Sequence, residues 1–206
     1  MPGLTRHRLL AILLAVVAGV GIGAIGHFLL RDGAPATVRE MAGFGEAAIG
    51  GPFRLIDVDG RERTSDDFRG KLMLVEFGYT FCPDVCPLGL QLFADVLDRL
   101  GPAADEVAPV FITLDPARDT SEVLKSYVQH FSPRITALTG PREAIDAAAK
   151  AYRVYYRLGS DAATNTNYLV DHSAILYLMG RDGKFLTHFT HETPPERVVA
   201  AIRSRL

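Results

Sequence analysis

Cys82 and Cys86 are the only cysteines in 206 residues, and three residues separate them in the stretch F-G-Y-T-F-C-P-D-V-C-P at positions 77–87. Deprotonated, a thiol is both a nucleophile and a soft metal ligand. Two thiolates on one surface can therefore close into a disulfide or hold a soft metal ion. An i, i+4 pair shares one face of a helix. If the turn that contains both is helical, free N–H groups and the positive end of the dipole favour thiolate over thiol there.

The elements that must position this pair lie on either side of it. Residues 71–77 form an apolar, β-type run of the length a buried strand needs. Residues 88–100 place leucines and Phe93 at helical spacing, with Gly101 as a stop signal. The thiols thus sit where a strand hands over to a helix.

Upstream, residues 52–58 and 61–64 flank Asp59-Gly60 as a predicted β-hairpin, and 65–68 read as a capped helical turn. Downstream, residues 107–114 read as a strand ending at Asp115 and Pro116. Ser121 is the predicted cap of a helix over 122–131 that Pro133 stops. A short strand over 135–138, an Ala-rich helix over 142–152 and a strand-like run over 153–157 follow, then a polar loop over 159–167. Residues 173–179 and 185–189 read as an antiparallel pair joined by the turn 180–183, and 196–205 as a last helix. Strands alternating with helices, then a terminal strand pair and helix, point to an α/β sandwich around a mixed sheet. With the cysteines at a strand–helix junction, the expected arrangement is thioredoxin-like.

A composition of 48% hydrophobic and 22% charged residues is that of a globular domain plus one greasy segment. The net charge of -2 gives no global basic footprint for nucleic acid. The greasy segment, residues 9–30, is uncharged and interrupted only by glycines and His27. It is long enough for a bilayer, which takes ~20 apolar residues. Arg6 and Arg8 precede it, so residues 1–8 are expected in the cytoplasm. A cleaved signal peptide is the rival, with A-P-A at 34–36 as a weak cleavage site, but the run exceeds the ~7–15 residues of a signal-peptide core. Residues 31–48 then read as a tether and 49–206 as one domain. The expected topology is a single pass through an inner membrane, with the domain in the periplasm or the equivalent intermembrane space. There a cysteine pair can be oxidised, and metal traffic also occurs.

Three motifs together resemble the Sco/SenC family: F-G-Y-T-F-C-P-D-V-C-P at 77–87, T-L-D-P-A-R-D-T at 113–120 and Y-L-V-D-H-S at 168–173. The resemblance covers roughly residues 45–206 in order and spacing. It implies a membrane-anchored, thioredoxin-like domain that handles copper for cytochrome c oxidase assembly, receives the metal from a donor chaperone and passes it to the copper-bearing subunit. It also implies copper ligation by Cys82, Cys86 and His172. Thiolates suit Cu(I) and imidazole accommodates both Cu(I) and Cu(II). The remaining histidines carry no such expectation: His7 flanks the anchor, His130 ends a helix, and His188 and His191 stand at a spacing poorly suited to one ion.

Four carboxylates are candidates for supporting the site. Asp84 is either a helix N-terminal carboxylate favoured by the dipole or a group that tunes site charge and docking. Asp115 and Asp119 match family positions, with an Asp115–Arg118 turn interaction as the plainer account. Asp171 either orients the His172 ring or caps the strand entry.

The competing class is a thiol–disulfide oxidoreductase or thiol peroxidase of the same fold, using Cys82 and Cys86 as a redox-active disulfide. Against it stand the C-x-x-x-C spacing where redox motifs have C-x-x-C, the absence of tryptophan, and the absence of proline from V-D-H-S at 170–173. A purely structural or redox-sensing disulfide would leave the accompanying motifs unexplained.

Overall fold

A computed structural model describes residues 49–206. The anchor and tether expected over residues 1–48 lie outside the described residues. Among the described residues no helix is long and apolar enough to cross a membrane.

The chain opens with a hairpin, β1 (Arg54–Asp57) and β2 (Glu62–Thr64), paired antiparallel. Asp57 closes its turn by accepting hydrogen bonds from the backbone N–H groups of Asp59 and Arg61, and Gly60 takes the positive φ of 80° that the turn requires. A 3-10 turn over Ser65–Phe68 leads into β3 (Leu72–Gly78), all seven residues of which are buried. Helix α1 follows at Val85–Leu100, then β4 (Val107–Thr113), α2 (Ser121–Gln129), β5 (Thr136–Thr139) and α3 (Arg142–Ala151). The chain ends with β6 (Tyr156–Leu158), β7 (Val170–His172), β8 (Leu176–Met179), β9 (Phe185–Phe189) and α4 (Pro195–Arg203).

Seven strands make one sheet in the order β2-β1-β5-β4-β3-β8-β9, and β6 and β7 make a separate two-stranded sheet. β4 runs parallel to both β3 and β5, while β1 and β8 join antiparallel, so the sheet is mixed. The alternation of side chains along β3 divides the core. Met73, Val75 and Phe77 pack on the α3 side, where Phe77 meets Tyr152 at 5.2 Å between ring centroids. Leu72 and Leu74 pack on the other side with Leu90 and Phe93 of α1, Leu124 of α2 and Val198 of α4. The result is a helix–sheet–helix sandwich.

The strand expected over 153–157 lies at Tyr156–Leu158, and that expected over 173–179 is shortened to Leu176–Met179. Three further differences from the sequence expectation bear on the site. α1 begins at Val85, three residues before the first leucine of its periodic run, which brings Cys86 into the helix and leaves Cys82 in the loop ahead of it. The two thiols therefore do not share a helical turn. α2 is capped by Thr120, not Ser121: the Thr120 hydroxyl accepts from the Val123 N–H. Residues 170–172, which the sequence assigns to no element, form β7, because their backbone finds partners on β6.

Glu76 is out of place among the apolar residues of β3. It is buried, its carboxyl lies against α1 where a Cβ at Gly89 would stand 2.3 Å from Oε1, and Oε2 has no hydrogen-bond partner. Burial, and after it the charge on Cys82, pushes its pKa well above the usual carboxylate range. The folded protein thus keeps a proton that the unfolded chain releases above about pH 4.3. The contribution is fully present below that pH and is lost as pH rises through the folded pKa. Glu76→Gln cannot ionise. Its stability relative to wild type, measured by urea unfolding with the cysteines reduced, is expected to grow from pH 4 to pH 8. A difference that stays flat across that range would mean that the carboxyl is not held protonated by the fold.

Candidate metal centre

Residues 79–84 carry the chain from β3 to α1 in a tight path, with the Cys82 N–H donating to the Tyr79 carbonyl at 3.2 Å. Cys82 retains 9% of its surface, whereas Cys86 is fully buried. The Cys86 sulfur occupies the space left by the missing side chain of Gly78, where a Cβ would stand 2.7 Å from it. Both cysteines are free thiols.

His172 arrives from the other end of the chain, at the last position of β7, where it pairs with Tyr156 of β6. Its Nε2 is 3.4 Å from the Cys86 sulfur. Its Nδ1 faces the Ser173 carbonyl at 3.2 Å. Donation from Nδ1–H to that carbonyl leaves the Nε2 lone pair pointing at the sulfurs, the tautomer a metal ligand needs. Tyr79 stands edge-on to the ring at 5.8 Å. The ligand atoms of Cys82, Cys86 and His172 lie within 4.8 Å of one another, and among the described residues this is the group of three able to hold a metal ion. His188 and His191 take no part in it; His188 stacks on Phe185.

The thiols differ in acidity. Hydrogen bonding from Cys86 draws the Cys82 thiol far below its ordinary range, against the effect of burial, with help from the backbone N–H groups of Asp84 and Cys86. Cys86 moves the other way, because it is the donor to Cys82 and is deeply buried. The pair holds its negative charge on Cys82, the sulfur with access to solvent.

The four carboxylates occupy distinct places. Asp119 is buried and accepts from the Thr80 hydroxyl and the Thr113 hydroxyl, both at 2.6 Å, and from the Thr80 N–H at 3.1 Å. It pins the loop that carries Cys82 to the end of β4. Asp115, also buried, accepts from Arg118 and, at 2.7 Å, from the Tyr168 hydroxyl, so it reaches the segment before β7. Asp84 is the residue before α1 and makes no side-chain capping bond. Asp171 pairs with Arg157 at 3.1 Å on the surface, and the Nδ1 of His172 faces Ser173. Gly78, Tyr79 and Tyr168 lie within the motifs at 77–87 and 168–173, but the sequence assigns none of them an individual role. A glycine at the end of an apolar strand is a sign of close approach; nothing local marks the contacts of the two tyrosines.

A mixed-sheet sandwich with two thiols at the β3–α1 junction and an imidazole facing them defines a thioredoxin-like domain with a soft-metal ligand set. The family model described as SCO1/SenC matches residues 42–206, and the chain belongs to that family. Protein SenC of Rhodobacter capsulatus is 42% identical over 204 residues, covering 96% of this chain and 89% of that protein. The human Protein SCO1 homolog, mitochondrial, is 36% identical over 207 residues, covering all of this chain and 68% of that protein. The structure of Bradyrhizobium japonicum ScoI with copper bound superposes with a TM-score of 0.71 at 40% identity, covering 77% of this chain and 100% of that one.

The split in acidity has a direct consequence for reactivity. At pH 6, brief treatment of the reduced, metal-free protein with iodoacetamide is expected to modify Cys82 and leave Cys86 unmodified, as read by peptide mass mapping. Equal labelling of the two would contradict the assignment of charge to Cys82.

Proposed function

We propose that this chain is a membrane-tethered copper carrier that binds Cu(I) and Cu(II) through Cys82, Cys86 and His172. It receives the metal from a donor chaperone and hands it to the copper-bearing subunit of cytochrome c oxidase. The observation that carries this reading is the convergence of two sulfurs and an Nε2 within 4.8 Å, in a chain whose relative of the same fold holds copper. Two thiolates satisfy the soft Cu(I) ion, and the imidazole supplies a donor that both oxidation states accept. Residues 9–30 anchor the protein in an inner membrane, with residues 1–8 cytoplasmic and the domain on the exported side. Tethering to the surface that also holds the client raises effective concentration without any new contact, so the hand-over complex can stay weak.

A thiol-exchange role for the same pair is favoured by its asymmetric acidity. The Cys82 thiolate attacks one sulfur of a client disulfide and displaces the other as thiolate, forming a mixed disulfide. Cys86 then loses its proton and attacks Cys82. The client leaves with two thiols, and its two electrons come from the Cys82–Cys86 pair. Reduction of the client's cysteines in this way would precede their metallation.

Copper titration of the reduced full chain in detergent against a competing chelator tests the ligand set. Cys82→Ala, Cys86→Ala and His172→Ala are each expected to weaken binding by more than about 100-fold, since loss of outer partners alone costs 10–100-fold. His188→Ala and His191→Ala should bind as wild type. A preformed Cys82–Cys86 disulfide removes both thiolates and should abolish binding until a reductant is added. Full copper occupancy with the disulfide intact would refute the ligand set.

A further inference from the structure

The histidine is the ligand with the weakest local support. It stands on a two-stranded sheet whose strands are three residues each, separated by the polar loop 159–167. Two strands alone are marginally stable in water. β6 is tied to the body through the Tyr156 hydroxyl, which meets Asp146 and Arg142 of α3. The segment leading into β7 is held by burial of Tyr168 and Val170 in the core and by the polar contacts of Arg118.

Arg118 follows β4 by five residues, and its guanidinium reaches both halves of the site. Nε donates to buried Asp115. Nη1 donates to the carbonyls of Thr166 and Tyr168, each at 2.9 Å. The plane lies over the Tyr168 ring at 3.7 Å, and that ring's hydroxyl donates to Asp115, so Tyr168 is held at both ends. On the thiol side, the same guanidinium stands 4.9 Å from the Phe81 ring, beside Cys82, and 5.7 Å from Tyr79. Tyr79 in turn meets the His172 ring edge-on. Cation–ring distances below about 6 Å are attractive, and only a planar fork makes these in-plane bonds while stacking.

We propose that Arg118 is a positioning residue that holds His172 at the thiol pair by clamping the 166–168 segment to the loop bearing Tyr79 and Phe81. The inference rests on the copper-ligand reading above. It assigns Arg118 no contact with the metal: its effect passes through His172. Phe81 is half exposed, beside the accessible sulfur. A client that displaces it therefore disturbs the same guanidinium that steadies the histidine.

A double-mutant cycle separates positioning from general structural support. Arg118→Gln, His172→Ala and the double variant are compared in the reduced full chain in detergent. The readouts are Cu(II) affinity by chelator competition and nitrogen coupling in the electron paramagnetic resonance spectrum. Arg118→Gln is expected to lower Cu(II) affinity about 10–100-fold, the range for partners that orient a ligand, and to weaken the nitrogen coupling. In the His172→Ala background it should cause no further loss. Arg118→Lys keeps the charge without the fork and should not restore wild-type behaviour. If Arg118→Gln fails to fold, Tyr168→Leu breaks the clamp from the other side, and the same cycle with His172→Ala should again be non-additive. Additive losses, or wild-type affinity and spectrum in Arg118→Gln, would overturn the proposal while leaving the ligand set intact. Undiminished copper affinity in His172→Ala would overturn the ligand reading and this inference together.

Discussion

The close approach of α1 to β3 is the constraint on which the site depends. A Cβ at Gly78 would stand 2.7 Å from the Cys86 sulfur and 2.9 Å from the Phe111 ring, and a Cβ at Gly89 would meet the Glu76 carboxyl at 2.3 Å. Each element thus gives up a side chain so that the other can place one. The approach is held by Leu90, Phe93, Val96, Leu97 and Leu100, all buried along one side of α1. Burial of each contributes on the order of 1.5–3 kcal/mol. Their combined effect far exceeds the strain one thiol could exert, so the helix does not shift to suit the sulfur. Cys86 is placed by core packing before any metal is considered.

That placement explains why two chemically identical side chains behave differently. Cys86, on the helix and buried, has water on no side, and its proton is shared toward the sulfur of Cys82. Cys82, in the loop, receives that bond together with backbone N–H groups at the start of α1. Negative charge therefore collects on the sulfur an incoming ion or client meets first. Asp119 makes this possible from below by pinning Thr80, since a loose loop could not hold Cys82 against the helix terminus.

Much of this was legible beforehand where local rules govern. The apolar run of β3, the period of α1 and the D-G turn of the first hairpin each follow from propensity and pattern. The two cysteines stood out by being the only ones. What the pattern could not carry is long-range. Cys82 lies outside the helix because α1 starts at Val85, a choice made by tertiary packing. β7 escaped notice because three residues have no period and are strand only by virtue of β6. Arg118 drew attention only as a turn partner of Asp115, while its bonds to Thr166 and Tyr168 span about fifty residues of sequence. Glu76, a carboxylate inside an otherwise apolar strand, and Gly78 at its end are local signs of contacts made from far along the chain.

The proposed ligand set is divided between two parts of the fold, and on that reading the division suits a carrier better than a permanent metal site. Two donors come from the β3–α1 junction, where the core fixes Cys86 and Asp119 fixes the Cys82 loop. The third comes from a two-stranded ribbon outside the main sheet, held by burial of Tyr168 and Val170 and by the polar and cation–ring contacts of Arg118. On the proposed reading, withdrawal of the imidazole would leave copper on the two sulfurs of Cys82 and Cys86, an under-coordinated state from which ligand exchange is easier. A site built wholly from the core would hold the ion more firmly and release it more slowly. Local stability in proteins is unevenly distributed, and the elements that move are drawn from its lower end. On the proposed reading, the ribbon is the part of the site outside the seven-stranded sheet, and it carries the ligand whose departure would weaken the grip on copper while leaving the thiol pair in place.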